Sequence, residues 1–383
     1  MPTPDYAVIG GGIVGLTIAR ELAMRGGGVT VFEKEAHLGE HASGRNSGVL
    51  HAGFYYAPDS LKARLTARGN QLLRAFCAEH DVPVRSCGKV VVATSANQLP
   101  ALDELHRRGT ANGVRLETVD ERGLADLEPL ARTVDRAIWS PDTGVADPKA
   151  VTAALQADLL ARGVQILTST PVTAPPDAGH IVNAAGLYAD RVAAWFGFCD
   201  DYVMMPFKGL YWYGNDRAPR LQRHVYPVPD PRNPFLGVHF TVTPGGGVKV
   251  GPTAIPALSR EAYSWGFRGD EAREVATSFP AFLRGGHHDV PALIRAEVPK
   301  YSRRYLVRQA RALVPTADGF TVRGKPGIRA QLMRKASGRL EMDFVVRGDE
   351  RSTHVLNAVS PAWTASLAFA ELVVDGMAER GAA

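Results

Sequence analysis

Three glycines, Gly10, Gly12 and Gly15, stand in the spacing G-x-G-x-x-G between a short apolar run, YAVIG (6–10), and a helically spaced one, GGIVGLTIARELAMRGG (11–27). VTVFEK (29–34) comes next as a second apolar run and carries Glu33 near its end. Ile13, Leu16, Ile18, Ala19 and Leu22 fall on one helical face, so the segment predicts a strand, a helix packed on a parallel sheet and a second strand. Each glycine has a physical task in such a unit. The first permits the tight turn, the second lets backbone approach a pyrophosphate, and the third lets helix and sheet touch. The helix N-terminus attracts phosphate charge, and an acid closing the second strand accepts hydrogen bonds from ribose hydroxyls. The chain is therefore expected to bind a dinucleotide.

A chain of 383 residues, 45% hydrophobic and 22% charged, has ordinary globular composition and room for two domains. The net charge of +5 is spread over interspersed acids and bases, with no basic stripe, so no nucleic-acid partner is expected. Cys77, Cys87 and Cys199 show neither CxxC nor metal-ligand spacing. No metal site is expected, and sparse unpaired thiols suit a reducing compartment. The N-terminus enters a strand at once, leaving no room for a leader, and no apolar stretch reaches a membrane span. The expected location is cytoplasmic, with peripheral membrane association left open.

The remaining pattern divides the chain. Helical spacing over 58–80 leads to the β-rich CGKVVVATS (87–95), a helix at about 97–112 and LETVD (116–120). A helix ending at Arg162 and the strands VQIL (164–167) and HIVNAAG (180–186) resume the α/β rhythm. Residues 202–260 read as an antiparallel sheet with turns such as TPGGG, and a more helical stretch runs on to about 315. HVLNAVS (354–360) and PAWTASLAFAELVVDGM close the chain as strand and helix. Nucleotide-type pieces thus recur at the start, middle and end. The predicted fold class is α/β, a discontinuous Rossmann-like FAD-binding domain (1–86, 140–200 and 320–383) with an inserted α+β substrate domain (87–139 and 201–319) whose sheet is mostly antiparallel.

FAD is preferred to NAD because of the loop that comes after Glu33. Ser43, Gly44, Arg45, Asn46, Ser47 and Gly48 supply hydroxyl, guanidinium, amide and bare backbone where an FAD pyrophosphate and ring would lie, and a simple NAD domain needs nothing there. A solvated loop fits the polar residues 41–48 but not the aromatic continuation VLHAGFYY. With one fingerprint and no second unit for a nicotinamide, electrons must enter the flavin from the substrate.

The chain resembles the D-amino-acid-oxidase-like class of FAD enzymes, and within it the L-2-hydroxyglutarate oxidase/dehydrogenase family, over essentially its full length. The resemblance is carried by SGRNSGVLHAGFYY (43–56), SLKARL (60–65), CGKVVVATS, IVNAAGLYADRVA (181–193), YPVPDPRNPFLGVHFT (226–241), GIRAQ (327–331) and HVLNAVSPAWTASLA (354–368). It implies that the segment from Asn183 through Ala185 and Gly186 returns to the nucleotide. It also implies that Ile13, Lys34 and Val172 join the cofactor contacts, and that the last helix begins near the polar end of the flavin ring. Ser360 is expected there as the cap and Pro361 as the first helical residue.

The same resemblance makes Arg329, in GIRAQ, a clamp for the substrate carboxylate, which a guanidinium meets bidentately. His239, in FLGVHFT, is the candidate base for the hydroxyl proton and His51 its rival. Four departures bear on the substrate. Where the family reads PFRGEYF this chain reads PFKGLYW, so Lys208 and Leu210 replace Arg and Glu. Thr253 replaces an Asn, LEMDF (340–344) lacks one of two acids, and the Pro-rich 170–179 is shorter than the family's hairpin. The resemblance implies oxidation of a 2-hydroxy acid, with L-2-hydroxyglutarate the leading small-molecule substrate and oxygen or a quinone as electron acceptor. Lys208 and Leu210 keep open a different hydroxy or amino substrate in specialised metabolism, and a flavin-binding subunit without turnover is the third reading.

Overall fold

The computed structural model describes residues 3–230, 233, 235–264, 266, 268–285 and 289–381. Pro231, Arg232 and Pro234 of the YPVPDPRNPFLGVHFT stretch, and the extreme ends of the 1–86 and 320–383 ranges, lie outside the described residues.

Tyr6–Ile9, Ile13–Met24 and Val29–Phe32 form the expected strand, helix and strand. Tyr6–Ile9 is central in a six-stranded sheet ordered Val345–Gly348, Ser352–Asn357, His180–Asn183, Tyr6–Ile9, Val29–Phe32, Gln165–Leu167. All neighbours are parallel except the first pair. Strands covered on both faces read as continuous apolar runs, which is why YAVI and VTVF lack alternation. Ile13–Met24 packs against the last helix, Ala362–Glu379, which also packs against Leu61–Glu79. Leu16, Ile18, Leu73, Phe76, Phe369 and Val374 are among the buried residues of this core.

The insert is built on an eight-stranded sheet ordered Phe320–Arg323, Trp212–Gly214, Val248–Gly251, His239–Val242, His224–Pro227, Lys89–Val92, Arg136–Ser140, Glu117–Asp120. It is antiparallel apart from the His224–Pro227 and Lys89–Val92 pair, which joins segments far apart in sequence. One face is apolar. Val90, Val92, Val225, Phe240, Val242, Val248 and Val250 pack there with Leu306 and Ala310 of the helix Arg303–Ala310. Burying one such side chain is worth about 1.5–3 kcal/mol, so a one-residue slip that turned the other face inward is excluded energetically. That other face carries Lys89, His224, Tyr226, His239, Thr241 and Lys249, set side by side by the registers Lys89↔His224 and Thr241↔Lys249.

A smaller sheet, Ile255–Pro256, Tyr202–Gly209, Gly327–Arg334, lies beside it. Phe320–Arg323 and Gly327–Arg334 thus pair with strands of the insert, although the sequence groups them with the 320–383 range. Their hydrogen-bond partners lie more than a hundred residues earlier, beyond the reach of local pattern.

Candidate active site

The glycine turn is fixed by contact as well as by conformation. A Cβ on Gly10, whose φ is +114°, would stand 2.5 Å from the Ala184 carbonyl oxygen, and one on Gly15 would stand 2.0 Å from the Gly10 carbonyl oxygen. Beside Gly12 only the Ser43 hydroxyl comes near, at 3.1 Å, so this glycine leaves space for a ligand where the other two close the fold. The Ser43 Oγ accepts from the Ile13 N–H at 2.8 Å, so the loop after Glu33 caps the first helix. Glu33 is buried and accepts from the Gly11 and Glu35 N–H groups at 2.7 and 2.9 Å. These bonds fix its carboxylate at the end of its strand and leave acceptor capacity for a hydroxyl.

The 41–51 loop is held by its own polar groups. Asn46 Nδ2 donates to the Ser43 carbonyl at 2.5 Å and its Oδ1 accepts from Gly48 N–H at 2.7 Å. Arg45 Nε donates to the Glu40 carbonyl, and its guanidinium lies 4.0 Å over the Tyr263 ring. The Ser47 carbonyl accepts from Lys249 Nζ at 3.2 Å, tying the loop to the large sheet. Lys34 Nζ lies between Glu35 and Glu261, at 2.6 and 2.5 Å, so these carboxylates and the neighbouring His41 already surround a cation.

The last helix starts at Ala362, with Pro361 as its N-cap and no side-chain cap. This corrects the expectation for Ser360 and Pro361. The chain turns one residue later than the Ser-Pro pair predicts, through backbone bonds from Ala362 N–H to the Val359 carbonyl and from Ala365 N–H to the Pro361 carbonyl. Ser360 and Pro361 instead line the cavity that this helix end faces. Thr364, one turn in, donates to the Val49 carbonyl at 3.0 Å and accepts from His51 N–H at 3.1 Å, which fixes the loop against the helix.

One cavity of about 760 Å³ joins these parts. Gly10, Gly12, Ile13, Glu33, Lys34, Ser43, Arg45, Asn46, Ser47, Val172, Ala185 and Gly186 line it, as do His51 and Arg329. Gly15, Gly48, His239 and Lys208 do not line it. Gly48 works from behind, since its φ is +73° and a Cβ would stand 2.3 Å from the Ala146 carbonyl oxygen. Lys208 sits on the opposite side of its strand from the residue paired with Arg329, and its Nζ is turned to the Ser264 carbonyl at 3.4 Å. Leu210 is buried and does not line the cavity either. Sequence reasoning passed over Tyr188, Trp195, Tyr211 and Trp363, which supply aromatic wall. An FAD fits this donor set. Acid and cation stand at one end, bare backbone and first-turn N–H groups in the middle, and a helix N-terminus at the other.

At that far end His51 is half-buried, and burial with the charges of Lys89, His239 and His224 presses its pKa well below the usual range. His239 Nδ1 lies 2.8 Å from the Gly237 carbonyl, which can only accept, so Nδ1 carries the hydrogen and Nε2 the lone pair. Its ring stacks on Tyr226 at 3.8 Å, and burial together with the positive field of Lys89, Arg329 and Lys249 lowers its pKa to about 3. His224 has the other tautomer. Nδ1 accepts from Val242 N–H at 3.0 Å and Nε2 meets Cys87 Sγ at 3.2 Å, so both nitrogens are engaged. Arg329 donates to the Thr253 carbonyl at 3.1 Å and lies 5.7 Å from the Phe235 ring, leaving its other donors for a ligand.

Residues 5–376 match the FAD dependent oxidoreductase family, DAO. Among similar proteins, the mitochondrial L-2-hydroxyglutarate dehydrogenase of Nematostella vectensis is 38% identical, over 98% of this chain and 91% of that one. The L-2-hydroxyglutarate dehydrogenase of Indibacter alkaliphilus is 35% identical, over 97% and 98%. In fold the chain is similar to an L-alpha-glycerophosphate oxidase from Mycoplasma pneumoniae solved with FAD bound, with a TM-score of 0.80 at 23% identity over 99% of this chain and 95% of that one. It is also similar to a glycine oxidase from Geobacillus kaustophilus, with a TM-score of 0.72 at 21% identity, over 98% and 95%. Among the described residues no helix is long and apolar enough to cross a membrane. The chain therefore belongs to the FAD dependent oxidoreductase family, in the branch that holds the L-2-hydroxyglutarate dehydrogenases.

Proposed function

We propose that the protein oxidises the carbon bearing the hydroxyl of a 2-hydroxy acid to a 2-oxo acid, with L-2-hydroxyglutarate as substrate and 2-oxoglutarate as product. The observation that carries this is that Arg329 and His51 open on the same cavity as the glycine turn and the last helix's N-terminus. FAD, when bound, supplies a two-electron acceptor for the hydride leaving the substrate carbon.

Arg329 holds the carboxylate next to the reacting carbon through the guanidinium donors not engaged by Thr253. That bond turns one face of the substrate carbon towards the cofactor and fixes its handedness. His51, kept neutral by burial, takes the hydroxyl proton on its unprotonated ring nitrogen as the hydride departs. His239, held in one tautomer by Gly237 and stacked on Tyr226, does not line the cavity and is not assigned the proton. Tyr211 and Trp363 restrict water at the reacting end. The N-terminus of Ala362–Glu379 would favour negative charge on the bound cofactor. Oxygen or a quinone would be the final electron acceptor. Lys208 and Leu210 stand away from the cavity, so these departures from the family pattern give no reason to prefer another substrate.

The test is anaerobic mixing of the yellow holoprotein with L-2-hydroxyglutarate, monitored by the loss of flavin absorbance. Rapid bleaching is expected, slowed at least a hundredfold by His51→Ala, an effect within the usual range for a general base. Bleaching by amino acids but not by 2-hydroxy acids would refute the assignment. Reoxidation with oxygen or with a quinone then identifies the acceptor.

A further inference from the structure

The loop after Glu33 and the insert meet at the outer end of the cavity in a closed circuit of side chains. Glu261 accepts from Lys34 Nζ at 2.5 Å, and the same ammonium donates to Glu35 at 2.6 Å. Glu35 Oε1 lies 2.9 Å from His41 Nε2, and His41 Nδ1 lies 2.7 Å from the Tyr263 hydroxyl. Lys34, Glu35 and His41 belong to the loop, whereas Glu261 and Tyr263 stand on the insert segment beyond Ile255–Pro256. The circuit therefore has two points of attachment on the insert and three members on the loop, and hydrogen bonds so connected strengthen one another. Arg45, from the same loop, lies 4.0 Å over the Tyr263 ring and adds a cation–π contact.

Lys34, His41, Arg45 and Glu261 line the cavity together with Glu33, the acid expected on the adenosine ribose. The circuit thus lies at the adenosine end. The insert segment is rooted just before it. Arg260 is buried and bound to Asp190 and the Leu187 carbonyl, and its own N–H donates to Glu271 at 2.9 Å. Beyond that root the attachment changes character. Among the described residues, the N–H groups of Ala262 and Tyr263 bond to the carbonyls of Ser259 and Glu261, within the segment itself. Residues 261–264 are therefore held against the loop by side chains, and Lys34, Glu35 and Glu261 are each about one-third exposed. Contacts of this kind open at a lower free energy than the paired strands on either side.

We propose that residues 261–264 are a clasp by which the insert holds the adenosine half of FAD, closed while the flavin is bound and lifted when it leaves. Glu261 and Tyr263 are its two attachments, and Arg260 is the root about which it turns. FMN ends at its first phosphate and does not reach this end of the cavity, so the clasp acts on the dinucleotide alone. The inference concerns the cofactor and stands whichever substrate is oxidised.

The experiment follows the release of FAD from diluted holoprotein, read as the rise in free-flavin fluorescence, for the wild type and for a double variant carrying Glu261→Gln and Tyr263→Phe. Release is expected to be at least tenfold faster from the variant, and an equal rate overturns the proposal. Titration of flavin-depleted protein with FAD and with FMN separates a clasp from a general loosening of the site. The variant is expected to bind FAD at least tenfold more weakly and FMN as the wild type does, whereas an equal loss for both flavins overturns the assignment. Should the double variant not accumulate, Tyr263→Phe alone keeps the ring under Arg45 and removes the bond to His41. It is expected to release FAD at least threefold faster than the wild type, and an unchanged rate again overturns the proposal.

Discussion

Lysine in place of Arg329 keeps the charge and removes the planar fork, so it separates attraction from orientation. A point donor on a flexible stem cannot hold a carboxylate in one plane, and Arg329→Lys is expected to lower kcat/KM at least tenfold, about 1.4 kcal/mol. Steady-state kinetics with L-2-hydroxyglutarate measure it, and unchanged kinetics would remove Arg329 from the site. His51 gives a pH signature instead. Burial presses its pKa well below the usual range, so the ring is neutral and able to accept a proton throughout the neutral range. Since a base works above its pKa, kcat/KM for L-2-hydroxyglutarate is expected to stay level from about pH 8 down to about pH 6.5 and to fall only in more acid solution. A fall already under way at neutral pH would show that another group takes the proton. At this scale the sequence was informative where chemistry is local, as with Gly12, Glu33 and Ser43. Lys89 was passed over although it sits in CGKVVVATS, because its meaning depends on a partner strand some 135 residues away. A lysine inside an otherwise valine-rich strand, as in GKVVV or VKVG, was the available signal.

Elements were legible in proportion to how locally they are determined. The opening strand–helix–strand unit appears where the glycines require it, because Gly10 and Gly15 admit no side chain against Ala184 and the Gly10 carbonyl. Gly15→Ala would place its Cβ against backbone that cannot give way, forcing the helix off the sheet and closing the phosphate approach. The expected result is at least a tenfold loss of bound flavin in the purified protein, read from its visible spectrum; a fully yellow variant would show that the turn tolerates the shift. The last helix illustrates the opposite case. Ser360 and Pro361 have the composition of a cap and first turn, yet backbone bonds from Ala362 and Ala365 N–H to the Val359 and Pro361 carbonyls start the helix at Ala362. A cap depends on where the preceding strand delivers the chain, and Ser352–Asn357 is placed by its parallel partner, not by its own residues. Similarly, the alternation of Val90 and Val92 with Lys89 and Val91 predicts two faces but not that both are buried.

Across the whole molecule the six-stranded sheet and the smaller sheet of Tyr202–Gly209 and Gly327–Arg334 must stay in fixed relation, because the cavity is lined by residues of both. The segment after Ile255–Pro256 supplies one link. Arg260, nearly fully buried, donates to both oxygens of Asp190 at 2.5 and 2.8 Å, to the Leu187 carbonyl at 2.5 Å and to Glu274. Asp190 and Leu187 belong to the segment just after the nucleotide-sheet strand His180–Asn183, whereas Arg260 and Glu274 come from the insert. The same segment lays Glu261 on Lys34 and Tyr263 on His41 at the cavity's outer end. None of this was legible in the linear sequence, since Arg260 and Asp190 are 70 residues apart and neither lies in a periodic pattern that names the other. Burial makes the pair consequential. Arg260→Met would leave Asp190 buried without its cation, an asymmetry that costs about 3–5 kcal/mol, whereas removing both charges costs much less. Arg260→Met is thus expected to lower the unfolding temperature by about 5 °C or more and to weaken flavin retention, because the outer end of the cavity loses its anchor. Adding Asp190→Asn to that variant should restore part of the loss. Calorimetry of the two variants beside the wild type measures both effects. A double variant no more stable than Arg260→Met alone would mean that the guanidinium acts through the Leu187 carbonyl and its packing rather than through charge.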